Sequence, residues 1–137
     1  MSIPANAPRG IRNNNPGNIR HGDSWQGLAP EQPDSAFCTF VSPEYGIRAM
    51  GRILRNYQRK YGLNTVRGII SRWAPPTEND TEAYVLHVAE KLGVGADDAI
   101  DVDSLLAPLV GAIIHHENGQ CPYDAATIAR GVELARA

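Results

Sequence analysis

The sequence predicts a mainly α-helical (α+β) fold with a small N-terminal β lobe, and three observations predict it. Residues 1–42 are crowded with Asn, Gly and Pro and show no helical period. Residues 43–137 place their apolar side chains as helix faces do. Helix-capping and helix-stopping residues then divide that second part into segments.

In the first part, Asn13-Asn14-Asn15-Pro16-Gly17-Asn18 is a dense turn signal. Phe37 to Val41 mixes aromatic and β-branched residues and reads as a short strand. Ile19 to Trp25 supplies further extended segments around Gly22, so a β-hairpin or three-stranded lobe is expected.

The first helix begins with Ser42 as cap and Pro43 at its first position, where a missing N–H costs nothing. Tyr45, Ile47, Met50, Ile53, Leu54 and Tyr57 mark its apolar face, and Gly62 ends it. A second helix runs from Asn64 to Trp73 and stops at Pro75-Pro76. Asp80 or Thr81 caps a third, with Tyr84, Val85, Val88 and Leu92 apolar and Gly93 beyond its end. Asp101 or Asp103 is the expected cap of a fourth, which runs to about Glu117 with Gly119 as C-cap. Pro108 either bends that helix or marks its true start. Asp124 caps a fifth, from Ala125 to Ala135.

The 137 residues, 42% hydrophobic and 20% charged, suit one domain spanning 1–137, with a β lobe over 1–42 and a helical lobe over 43–137. A net charge of −2 and no Lys/Arg run longer than two argue against nucleic acid and anionic membrane as partners. The longest apolar run, Leu105 to Ile114, is about half of a bilayer span. The opening residues show no signal-peptide pattern. A monomer is expected, with no metal or organic cofactor. Cys38 and Cys121 are compatible with one disulfide or with two separate buried thiols, the simpler reading.

Three features have the makings of a site. Glu117 closes an apolar helix just before a Gly turn, where desolvation can raise a carboxylate toward the range of a general acid. A glutamate in a last turn is ordinarily a solvated charge, but here it faces the unfavourable end of the helix dipole, where stability alone would place a cation. Next, the loop Asn13, Asn14, Asn15, Asn18, Arg20 offers amides suited to sugar hydroxyls and N-acetyl groups. Turn chemistry alone accounts for some of them, though three consecutive Asn exceed what one turn requires. Last come the aromatic side chains. Tyr45 and Trp73, at helical spacing, are assigned to the core; Trp25, Tyr84 and Tyr123 are candidates for stacking on a pyranose ring, Trp25 foremost because polar residues surround it.

His115, His116 and Glu117 are consecutive, so they diverge around a helix and cannot chelate one ion. A Cys–His amidase using Cys121 with His115 or His87 is a rival chemistry, without a motif to assign its base.

The stretch Arg9-Gly10-Ile11-Arg12-Asn13-Asn14-Asn15-Pro16-Gly17-Asn18-Ile19-Arg20 resembles the opening of phage and prophage virion-associated muramidases. The likeness continues through Phe40 to Ala49 and through Trp73 to Asp80. A wider likeness reaches the lysozyme-like superfamily in a different order. Ala112-Ile113-Ile114-x-x-Glu117-x-Gly119 is similar to the catalytic-Glu helix end of lytic transglycosylases, with Asn118 where Ser or Thr is usual. Pro16-Gly17-Asn18-Ile19 resembles the strand motif that follows that Glu, and Thr81 to Val85 resembles a late Tyr-bearing helix. In those enzymes the Glu comes first; here it comes last, which implies a circularly permuted lysozyme-like fold.

The resemblance implies a peptidoglycan glycosidase, cutting the β-1,4 bond between N-acetylmuramic acid and N-acetylglucosamine with Glu117 as general acid. It implies that Asn13 to Arg20 lies beside Glu117 across one groove and brings Cys121 near Cys38, raising the odds of a disulfide. Asn118 joins the substrate-contact candidates. A hydrolase needs a second carboxylate, for which Glu78 beside Asn79 is preferred over Glu44, Asp23 and Asp34; each has an ordinary alternative as a helix first-turn or loop charge. A lytic transglycosylase needs only Glu117. A phage-type protein of this kind acts in the periplasm or cell wall, after release from the cytoplasm or carried in a virion. A non-catalytic peptidoglycan-binding virion protein stays open as a further alternative.

Overall fold

The computed structural model describes residues 6–137 and contains six helices: α1 Arg9–Arg12, α2 Pro43–Tyr61, α3 Val66–Trp73, α4 Thr81–Leu92, α5 Leu106–Asn118 and α6 Ala125–Arg136. The protein is mainly helical, and the five helices expected from sequence are present at the expected places.

Their ends follow from side-chain chemistry. The side chains of Thr65, Asp80 and Asp124 accept hydrogen bonds from the backbone N–H of Gly68, Ala83 and Thr127, satisfying donors that a first turn leaves free. Gly62, Gly93 and Gly119 close α2, α4 and α5 in the left-handed conformation. The start of α5 differs from expectation. Neither Asp101 nor Asp103 caps it; Leu105 precedes the helix and Pro108 falls in its first turn, so the proline marks the true start rather than a bend. Asp103 instead receives Arg55 at 2.7 Å.

The expected β lobe does not form. Among the described residues the only pairings of this kind are two isolated antiparallel bridges, Arg20 with Phe37 and Leu28 with Phe40. The segment from Phe37 to Val41 is extended, but its partners change along its length. Cys38 N donates to Ile19 O, Phe40 N to Asn13 O and Val41 N to Gly27 O. Positive φ at Asn14, Asn18, Gly22 and Gly27 turns each partner away before a ladder can build. The same region holds the short α1, which sequence periodicity missed because one turn carries no period.

α2 lies at the centre, packed on α6 and α5, while α4 bridges α3 and α5. A Cβ at Gly131 of α6 would overlap Ile47 of α2, so the absence of a side chain there sets how closely the two helices approach. One contiguous apolar cluster runs from Ile19, Cys38 and Phe40 through Ile47, Met50, Ile70, Tyr84, Leu109 and Ile113 to Val132. Among the described residues no helix is long and apolar enough to cross a membrane.

Candidate functional site

α5 is buried for most of its length, and its last turn emerges at the wall of a cleft of about 300 Å³. Glu117 lines that cleft together with Asn18, Arg20, Trp73, Glu78 and Asn79. Its carboxylate is fixed from two sides: Asn18 Nδ2 donates to Oε1 at 2.9 Å, and the Tyr84 hydroxyl donates to Oε2 at 2.7 Å. The first bond joins residues 99 apart in sequence and the second joins residues 33 apart. Glu117 is thereby held in one orientation at a cleft wall, the arrangement that a positioned acid or base requires.

Tyr84 is 1% exposed on α4, and its ring stacks on His116, with centroids 3.8 Å apart. Burial, and then the nearby Glu117 charge, push its phenol far above the usual tyrosine range, so it stays a hydrogen-bond donor throughout physiological pH.

Asn18 reaches Glu117 because its left-handed backbone (φ 52°) turns the chain at the end of the Asn-rich loop. The preceding amides build that loop. Asn15, fully buried, donates to Ile19 O and Cys38 O and accepts from Ile19 N, all at 2.9 Å. Asn13 joins Asp34 and Thr39, and Asn14 donates to Phe40 O. Asn118 donates to Pro16 O at 2.8 Å and to Ile114 O at 2.9 Å, tying the end of α5 to the same loop. Asn13, Asn14, Asn15 and Asn118 act as scaffold: each commits its side-chain amide to backbone or side-chain groups inside the fold, and none of the four lines the cleft.

The remaining candidates divide in the same way. Arg20 lines the cleft, and its guanidinium lies 3.6 Å from the Glu78 carboxylate across it, both side chains exposed. Glu44 is the acidic residue in the first turn of α2 and lines neither this cleft nor the recess beside it. Asp34 receives Arg9, Asn13 and the N–H groups of Ala36 and Phe37; the Arg9 hydrogen bond above all holds its carboxyl well below the usual range, as a structural anchor. Trp25 sits in a neighbouring recess, not in the Glu117 cleft. Tyr123 is partly buried against the core, its hydroxyl pushed up to about 12 chiefly by burial, and it lines neither hollow. Trp73, expected in the core, packs partly buried against it and also forms part of the cleft wall with Phe37, Ile53 and Tyr57. Helical spacing identifies a covered face, but it does not distinguish a face covered by core from one bordering a cleft.

Both cysteines are free. Cys38 is buried, with its thiol toward Arg20 O at 3.6 Å, whereas Cys121 is exposed between α5 and α6. The resemblance-based disulfide is thus not formed, and only one of the two thiols is buried. Among the described residues no group of three or more His, Cys, Asp or Glu side chains is arranged to hold a metal ion.

The site therefore defines a helical domain in which a carboxylate, oriented by an amide and a phenol, faces an open polar cleft. No protein-family model matches the chain. It is similar to protein P5 of Pseudoalteromonas phage PM2, with 44% identity over 131 residues that cover 93% of this chain and 81% of P5. The chain belongs to the family of that phage protein, which accords with the phage or prophage kinship expected from its opening motif.

Proposed function

We propose that this protein is a peptidoglycan-degrading glycosidase, a muramidase in which Glu117 protonates the glycosidic oxygen between N-acetylmuramic acid and N-acetylglucosamine. The observation that carries the reading is the 2.9 Å hydrogen bond from Asn18 to Glu117, which joins the two ends of the chain at one cleft. A circularly permuted lysozyme-like fold calls for that juxtaposition. Once Glu117 has given up its proton, the Asn18 amide and the Tyr84 phenol are in place to hold its charge, and the same carboxylate can serve as base in the second half of the reaction.

Glu78 is the other carboxylate of the cleft, exposed and facing Arg20, and is the candidate to direct water in a hydrolase. A lytic transglycosylase dispenses with it, because a hydroxyl of the sugar itself attacks. That second reading draws on Glu117 being the one cleft carboxylate fixed by two donors. The partner in either case is a glycan strand, reached after phage-type release or from a virion. The thiol rival finds less support, since the one hydrogen-bonding contact of Cys121 among the described residues is the Tyr123 carbonyl, at 4.0 Å.

Digestion of purified peptidoglycan, with fragments identified by mass, tests the proposal. Reducing muropeptides lost in Glu117→Gln, and also in Glu78→Gln, establish a two-carboxylate hydrolase. Fragments lighter by one water, lost in Glu117→Gln but kept in Glu78→Gln, establish a transglycosylase. Fragment release unaffected by Glu117→Gln refutes the assignment of Glu117. No cleavage by the parent protein, with sacculi still bound, leaves a non-catalytic binder.

A further inference from the structure

We propose that a second recess, continuous with the Glu117 cleft, binds the carboxylate-bearing peptide stem of the substrate and so selects peptide-substituted glycan. The inference rests on the muramidase reading above. The two hollows share Ile53 and Tyr57 on α2, so one bound strand can occupy both.

The recess measures about 460 Å³ and has a different character from the cleft. Lys60 from the last turn of α2 and Arg72 from α3 line it, with Trp25, Tyr57 and Tyr61 as aromatic walls. The Arg72 guanidinium lies 3.8 Å from the centroid of Tyr61 and 5.5 Å from that of Tyr57, which fixes its position. Among the described residues neither Lys60 nor Arg72 lies within 4.0 Å of a carboxylate, whereas Arg9, Arg20, Arg55 and Arg67 all do. Tyr61 is 54% exposed, one of three large apolar side chains left so open among the described residues. The Nε1 donor of Trp25 is buried without an acceptor.

Charge decides between a sugar and a peptide as occupant. A bare strand offers the cations one lactyl carboxylate per muramic acid, held close to the sugar ring in the cleft, and its hydroxyls and N-acetyl groups are uncharged. The lactyl peptide on muramic acid carries carboxylates, which cations bind with charge-assisted hydrogen bonds. Where the stem contains a diamino acid it also carries an amine, and Asp23 on the same wall is the matching carboxylate. The acid in the cleft and the cations in the recess would then read the two parts of one muramyl-peptide unit.

The test is a calorimetric titration of the Glu117→Gln protein with a soluble disaccharide-tetrapeptide and with the same disaccharide lacking peptide. The peptide-bearing ligand is expected to bind about tenfold tighter at low salt, the difference shrinking as salt is raised. Adding Lys60→Gln and Arg72→Gln should bring both ligands to the same affinity, and circular dichroism verifies that the variant is folded. Equal affinities in the parent, a preference that survives the two charge removals, or binding of neither ligand would overturn the proposal. Cleavage by the protein with Glu117 intact is scored separately. Peptide preference without cleavage would refute the muramidase reading yet uphold the recess as a stem-binding site.

Discussion

Replacing Asn18 by Asp tests the architecture of the site without relying on any assumed substrate. The two side chains are isosteric, so the substitution exchanges a donor 2.9 Å from Glu117 Oε1 for a second carboxylate oxygen. Two unit charges about 3 Å apart repel by roughly 1.4 kcal/mol in bulk water and roughly 5 kcal/mol at an effective dielectric of 20. Glu117 is half-buried and the cleft is open to solvent, so a value of about 2 kcal/mol is reasonable, before adding about 1.5 kcal/mol for the lost charge-assisted hydrogen bond. The pair relieves its repulsion by keeping one proton, which the unfolded chain releases near pH 4. Above that pH the native variant binds more protons than its unfolded state, so its stability falls as pH rises. Urea unfolding of Asn18→Asp should thus show a deficit of about 2–4 kcal/mol against the parent at pH 7, shrinking to about 1 kcal/mol or less near pH 4. A deficit that is the same at both pH values would mean that residue 18 does not face Glu117, and the proposed site would fall with it.

Two further predictions concern the surroundings. His87 and His116 meet Nδ1 to Nδ1 at 2.8 Å between α4 and α5, so one must donate and the other accept, and adding a second proton breaks the pair. Both imidazoles are pushed below the usual histidine range, chiefly by burial, with His115 and Lys91 adding to the effect at His87, and the partner His87 and then His115 at His116; Glu90 opposes it at His87, as Glu117 and Asp80 do at His116. The unfolded chain therefore takes up protons near pH 6.5 that the native protein refuses, so stability should be complete above pH 7 and decline below about 6.5; double replacement by Gln should flatten that slope, and an unchanged slope would remove these histidines as the cause. For the thiols, an aromatic disulfide reagent should label one cysteine per chain in the native state, Cys121, and two after denaturation, while dithiothreitol leaves the unfolding midpoint unchanged. A midpoint lowered by reductant would show that the two cysteines are bonded after all.

Much of the helical framework was legible because its signals are local. Pro43 after Ser42, Asp80 and Asp124 before their helices, and Gly62, Gly93 and Gly119 after theirs each act within one turn of the residue concerned. The N-terminal region was misread because a strand is a relation between segments. Phe37 to Val41 has a strand's composition, but its partners lie in three different stretches, and turns at Asn18 and Gly27 end each pairing after one bridge. The Asn run shows the same limit inside the site. Asn13, Asn14, Asn15 and Asn18 share a side chain, yet the first three satisfy backbone and side-chain groups where α1, the loop and the Phe37 segment meet, and only Asn18 turns its amide to the cleft. The excess of amides over one turn's needs was a sound sign of something beyond turn-making, and most of it is scaffolding. Glu117 was legible for the opposite reason. An acid at the negative end of an apolar helix opposes local stability, and such a conflict persists where another requirement outweighs it. The structure meets that conflict with two donors brought from 99 and 33 residues away, a convergence that no local need of the α5 terminus explains and that a positioned carboxylate does.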